Sequence, residues 1–137
     1  MRLFRRSQHP DGHILILDDE QAIRESLTRL FERRGYDVRS ARNVEEALEA
    51  IDSDLRAAIL DVMLVNSGGK SGIDVLAAIR QRPETGAVPV LMFTGYGLQP
   101  SVLAAIEQLG AHLIHKPLSF AQLADWVSVR TGMRAKP

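Results

Sequence analysis

The chain has 137 residues, a length that suits one domain with a core of its own, held without disulfides or a structural metal. Lys+Arg and Asp+Glu both number 17, so no bulk charge draws the protein to nucleic acid or to a membrane surface. Cysteine is absent, which excludes a disulfide framework or a thiolate metal site and fits a reducing compartment, and no apolar run approaches the roughly 20 residues of a membrane span.

Residues 1–12 carry Arg2, Arg5 and Arg6 with no apolar segment behind them, so they read as a flexible leader and not as a signal peptide. Regular structure begins at His13-Ile14-Leu15-Ile16-Leu17, an unbroken apolar run suited to a strand buried on both faces, which stops abruptly at Asp18-Asp19-Glu20. Ile23, Leu27, Leu30 and Phe31 then recur at helical spacing until Gly35 supplies a left-handed stop. Tyr36 to Ser40 alternates as a half-exposed strand, and Asn43 with Glu46 forms a capping-box pattern ahead of Ala47, Leu48 and Ile51.

Ala57 to Leu60 has the length of a buried third strand, which places Asp61 where that strand leaves the sheet. The loop behind it is long and glycine-rich. Its Gly69-Lys70-Ser71 is not a phosphate loop, because Leu64 stands where that motif needs glycine; Ser71 and Asp74 instead cap a helix with Ile73, Leu76 and Ile79 that ends before Pro83. Pro89 opens a fourth strand, Val90 to Phe93, closed by Thr94-Gly95, and Val102, Ala105, Ile106 and Leu109 mark a helix stopped by Gly110. His112 to His115 forms a fifth strand ending in Lys116-Pro117; its histidines read as structural or solvent-facing. A last helix follows, with Ser119 and Gln122 as capping box, Leu118 and Leu123 as staple, and Phe120, Leu123, Ala124 and Val127 as buried stripe. Five strands alternating with five helices predict an α/β fold over residues 13–131, with 132–137 a short tail.

Asp18, Asp19, Asp61, Thr94 and Lys116 all fall at carboxyl ends of strands, and so on one rim of the sheet, where open α/β sheets bind ligands. Two carboxylates about 4 Å apart repel by about 4 kcal/mol at an effective dielectric near 20, and a third adds to this. Such a cluster calls for a cation or for proton uptake. Oxygen ligands alone suit Mg²⁺ in partnership with a phosphoryl group, leaving Lys116 as a point charge for an anion and Thr94 as a neutral donor to it.

In this combination the sequence resembles the receiver domains of bacterial two-component response regulators, over roughly residues 13–129. Leu17-Asp18-Asp19-Glu20, Leu60-Asp61-Val62-Met63, Phe93-Thr94-Gly95 and His115-Lys116-Pro117 carry the likeness by their order and spacing. The resemblance implies a flavodoxin-like, doubly wound parallel sheet of order 2-1-3-4-5. It also implies a phosphoprotein, with Asp61 the phosphoacceptor for a sensor histidine kinase or histidine phosphotransfer protein. Asp18, Asp19, Asp61 and the Met63 backbone carbonyl would hold Mg²⁺, with Thr94 and Lys116 on the phosphoryl group and a cis bond before Pro117. Output would pass to a protein target or a second copy of the domain through the face of the fourth helix, fifth strand and fifth helix. The resemblance implies no turnover of an external substrate, no direct nucleic-acid or membrane partner, and a cytoplasmic location.

Two departures stand out. Val65 replaces a proline usual in that family, in a loop about three residues longer, and Leu113 replaces the aromatic residue of its switch position. Two other function classes weigh less. A phosphatase of the haloacid dehalogenase type wants a second Asp where Met63 stands, and a non-phosphorylated interaction module would ordinarily have lost one of the acids or Lys116.

Overall fold

The computed structural model describes residues 12–65, 67–95, 97–116 and 119–132. The leader up to residue 11, Tyr96, the Lys116–Pro117 bond with its expected cis geometry, the staple residue Leu118 and the tail from 133 lie outside the described residues.

The elements alternate as expected: β1 (His13–Leu17), α1 (Gln21–Arg33), β2 (Asp37–Ala41), α2 (Val44–Glu49), β3 (Leu55–Asp61), α3 (Gly72–Gln81), β4 (Val90–Thr94), α4 (Pro100–Gln108), β5 (His112–His115) and α5 (Phe120–Thr131). All five strands are parallel in the order β2-β1-β3-β4-β5. The apolar runs are unbroken because both faces of the central strands are covered. Leu15 and Leu17 of β1, Ala58 and Leu60 of β3, and Val90 and Met92 of β4 pack with α2, α3 and α4, whereas Ile14, Ile16, Ala57, Ile59, Leu91 and Phe93 pack with α1 and α5. Each large aliphatic side chain buried this way contributes about 1.5–3 kcal/mol.

Four local expectations differ, the first being Phe120, which the sequence places in the buried stripe of α5 and which is exposed while Leu123, Ala124 and Val127 are buried. β3 begins at Leu55, two residues before the apolar run, because Arg56 points out of an otherwise buried strand. α2 stops at Glu49, so Ile51 joins the core from the following turn. The Asn43 cap is only half a box: its side chain accepts from the Glu46 N–H, but the Glu46 carboxylate turns to the backbone N–H and guanidinium of Arg42. At Arg42 the carboxylate meets a cation as well as an amide, an ion pair that the Asn43 N–H alone would not give. At α3 the box is complete, with Ser71 and Asp74 each satisfying the other's N–H.

At the opposite edge from the carboxyl ends, polar side chains lock the frame. Arg80 donates to the carbonyls of Leu109, Gly110, Gly86 and Val88, tying α3 to the turns around β4 and β5. His13 is fully buried, with Nε2 on the Ala50 carbonyl at 2.9 Å, and burial holds its pKa below the usual value.

The frame is tight at the entry to α3. Gly72 donates its N–H to the Val62 carbonyl at 2.9 Å, and a Cβ there would lie 2.1 Å from the carbonyl oxygen of Asp61. Gly72→Ala should therefore destabilise the protein by about 1–3 kcal/mol in denaturant unfolding, because rigid backbone must move to admit the methyl group; an Ala variant as stable as wild type would show that this close approach does not constrain the fold.

Candidate functional site

Register brings the acids together. Leu17 of β1 pairs with Leu60 of β3, so Asp18 and Asp61 leave the sheet side by side, and Asp61 pairs with Phe93, one residue before Thr94. One carboxylate oxygen from each of Asp18, Asp19 and Asp61 lies within 4.8 Å of the others. Asp18, Asp61 and Thr94 are buried, while Asp19 is half-buried. Lys116 completes the group, its N–H bonded to the Thr94 carbonyl at 2.8 Å and its Nζ 3.6 Å from Asp61 Oδ2 and 3.8 Å from Asp18 Oδ2. All five residues singled out in the sequence thus meet at one place.

The carboxylates are unequally satisfied. Asp18 Oδ1 accepts from the Glu20 N–H at 2.8 Å, but Asp18 Oδ2 is buried without a hydrogen-bond partner, Lys116 standing beyond hydrogen-bond reach. Asp61 accepts from the Met63 N–H, and Asp19 Oδ2 accepts from the Val65 N–H at 2.8 Å. Burial, and then the Asp18 carboxylate, push the Asp61 pKa up to about 7, with Lys116 offsetting part of the effect. Burial also raises Asp18, against the bond from Glu20. Burial opposes charge on Lys116, yet Asp61, Asp18 and Glu20 together outweigh it and raise its pKa. An all-oxygen set of acids with an orphaned buried oxygen fits a hard divalent cation.

Three further contributors join the site. Glu20 pairs with Lys116 at 3.4 Å, Arg24 donates to the Asp18 carbonyl at 2.8 Å, and the Val65 amide reaches Asp19. Glu20 had a signal in its place beside the acid pair; the local contact of Arg24 and the long-range one of the Val65 amide had none. An open cleft of about 500 Å³ lies over the acids, lined by Glu20, Met63, Leu64, Val65 and Gly95 among others. His112 stacks on Trp126 and His115 is exposed, so neither reaches this cleft, and Lys70 faces a separate cavity beside α2.

The model of the response regulator receiver domain family matches residues 14–128. The chain belongs to this family. Over 121 residues the receiver is 36% identical to the response regulator protein PilR of Pseudomonas aeruginosa, which covers 88% of this chain and 26% of PilR, so the chain spans about a quarter of that relative's length. The CheY-like receiver domain protein of Methanospirillum hungatei JF-1 superposes with a TM-score of 0.75 at 27% identity, over 88% of this chain and 94% of that one. A response regulator protein from Burkholderia pseudomallei, solved with a phosphorylated aspartic acid, a calcium ion and citrate, gives a TM-score of 0.71 at 26% identity, over 89% of this chain and 69% of that one. No described helix of the receiver is long and apolar enough to cross a membrane.

The raised Asp61 pKa has a stability consequence. A carboxyl with a folded pKa above its unfolded value binds the proton more tightly when folded, so its share of stability is present at low pH and lost as pH rises through about 7. In metal-free protein, Asp61→Asn should be more stable than wild type at pH 8, by roughly 2–4 kcal/mol, with the gap closing between pH 7 and 4. Comparing the two proteins cancels His13, whose lowered pKa acts in the opposite sense, its stabilisation being lost as pH falls below 6.5. Denaturation curves that run parallel at all pH values would refute the raised pKa.

Proposed function

We propose that this receiver accepts a phosphoryl group on Asp61 from a sensor histidine kinase or histidine phosphotransfer protein. The observation that carries the reading is the seating of Asp61: a buried carboxylate at the end of β3, grouped with Asp18 and Asp19 and 3.6 Å from Lys116. The phosphorylated aspartate and calcium ion of the Burkholderia protein support the same chemistry on this fold.

Asp18, Asp19 and Asp61, with the Met63 carbonyl, would hold Mg²⁺. When bound, the cation neutralises charge on the phosphoryl oxygens and keeps Asp61 ionised at neutral pH. An Asp61 carboxylate oxygen forms the new O–P bond as the N–P bond of phosphohistidine breaks, and the electron pair stays on the imidazole nitrogen. Lys116 and the Thr94 hydroxyl bond the phosphoryl oxygens. Because the product stays on the chain, the domain of residues 13–131 acts as a switch in the cytoplasm and not as a turnover enzyme.

Output passes through the α4–β5–α5 face to a protein target or a second copy of the domain. Leu113 is half-buried against the core on the α4 side of the sheet, and Leu103 of α4 is exposed. A leucine at 113 has no hydroxyl to bond in an outward position, so displacement of the loop from Gly95 to Pro100 carries more of the response than its rotamer. The new dianion on Asp61, drawing Thr94 inward, biases that loop.

Incubation with acetyl phosphate and Mg²⁺ should add the mass of one phosphoryl group, and Asp61→Asn should abolish the addition while keeping the fold. Labelling of the Asn variant at the wild-type rate would remove Asp61 from the role.

A further inference from the structure

The loop between β3 and α3 touches the acid cluster at a point that no motif marks. The Val65 backbone N–H donates to Asp19 Oδ2 at 2.8 Å, across 46 positions of sequence. Farther along, Gly68 and Gly69 turn the chain with φ of 61° and 79°, and Ser71 then caps α3. The loop is therefore held at Asp19 on one side and at the α3 entry on the other.

Asp19 depends on this bond more than its neighbours depend on theirs. Asp18 is anchored by the Glu20 N–H, and Asp61 by the Met63 N–H and Lys116. Among the described residues, the Val65 amide is the hydrogen-bond partner that the Asp19 carboxylate has. Asp19 is also the least buried of the three acids, free to swing toward water, and both other carboxylates push it that way. A charge-assisted bond from a fixed amide opposes the swing. The Val65 side chain takes no part, since the residue is 66% exposed. A proline at this position would have no N–H to give.

We propose that the Val65 backbone N–H is a positioning group, which holds the Asp19 carboxylate within reach of Asp18 and Asp61 and so sets the affinity of the site for a divalent cation. This rests on the Mg²⁺ reading above. It also makes the loop responsive to the site, because any change in the place of Asp19 moves the backbone at Val65.

The test removes the N–H and the side chain separately. Val65→Ala keeps the amide, Val65→Pro deletes it, and replacing the amide with an ester at residue 65 deletes the N–H while leaving the side chain. Mg²⁺ is titrated calorimetrically into each full-length protein, and amide exchange is followed in the metal-free state. Val65→Ala should bind Mg²⁺ within about twofold of wild type, while the ester and Pro variants should bind on the order of tenfold more weakly. Without metal, the Val65 amide should exchange slowly in wild type and at least about tenfold faster in Asp19→Ala, with β1 and β3 protected in both. An ester variant that binds Mg²⁺ as tightly as wild type, or a Val65 amide that exchanges equally fast in wild type and Asp19→Ala, overturns the inference. Wild type that binds no Mg²⁺ while its Val65 amide stays protected overturns the metal reading, and with it the claim on affinity, but leaves the contact standing.

Discussion

Two carboxylates that repel each other are forced together by strand pairing, and much of the local structure follows from that conflict. Asp18 and Asp61 leave adjacent strands at the same level because Leu17 and Leu60 are in register. The sheet cannot relax the contact without moving a core that is packed on both faces. Repulsion is therefore met by groups that come to the acids: Lys116 just after β5, the Glu20 and Met63 amides, and proton uptake at Asp61. The charge conflict is a property of the fold's interior, while its resolution is assembled from loops.

That division explains why the site can act as a switch. A rim that is fully satisfied has no reason to respond to an added charge. Here Asp18 Oδ2 has no hydrogen-bond partner and burial beside Asp18 pushes the Asp61 pKa up to about 7, so a cation would meet groups that gain from its arrival. The opposite edge of the sheet is tied down by side chains on backbone carbonyls, although His13 Nδ1 is buried there without a hydrogen-bond partner. Arg80 alone satisfies carbonyls from four residues, and the His13 ring is sealed beneath α2.

The loop of residues 64–71 sits between these regimes. Its far end is fixed by the Ser71 capping box and by the close approach of Gly72 to the Asp61 carbonyl, and its near end is held by a bond to Asp19. The same backbone thus abuts the end of β3 and a carboxylate of the acid cluster. Between these two anchors the loop runs over the surface, where Gly68 and Gly69 meet no neighbouring atoms that a side chain would disturb.

Periodicity alone placed every strand and helix to within about two residues, and the polar residues closing the strands marked the site, because burial on both faces leaves an apolar run whose end cannot be hidden. The family resemblance supplied strand order, and the sheet bears it out. What composition and spacing could not carry were the partners that polar groups take up in the fold: the Val65 amide on Asp19, Arg24 on the Asp18 carbonyl, Glu46 turning from Asn43 to Arg42, and the His13 ring on the Ala50 carbonyl. Backbone amides leave no trace in side-chain patterns, and a lone histidine or arginine reads the same whether it faces water or a carbonyl. Those choices were made when the strands came into register and brought their ends within hydrogen-bond reach.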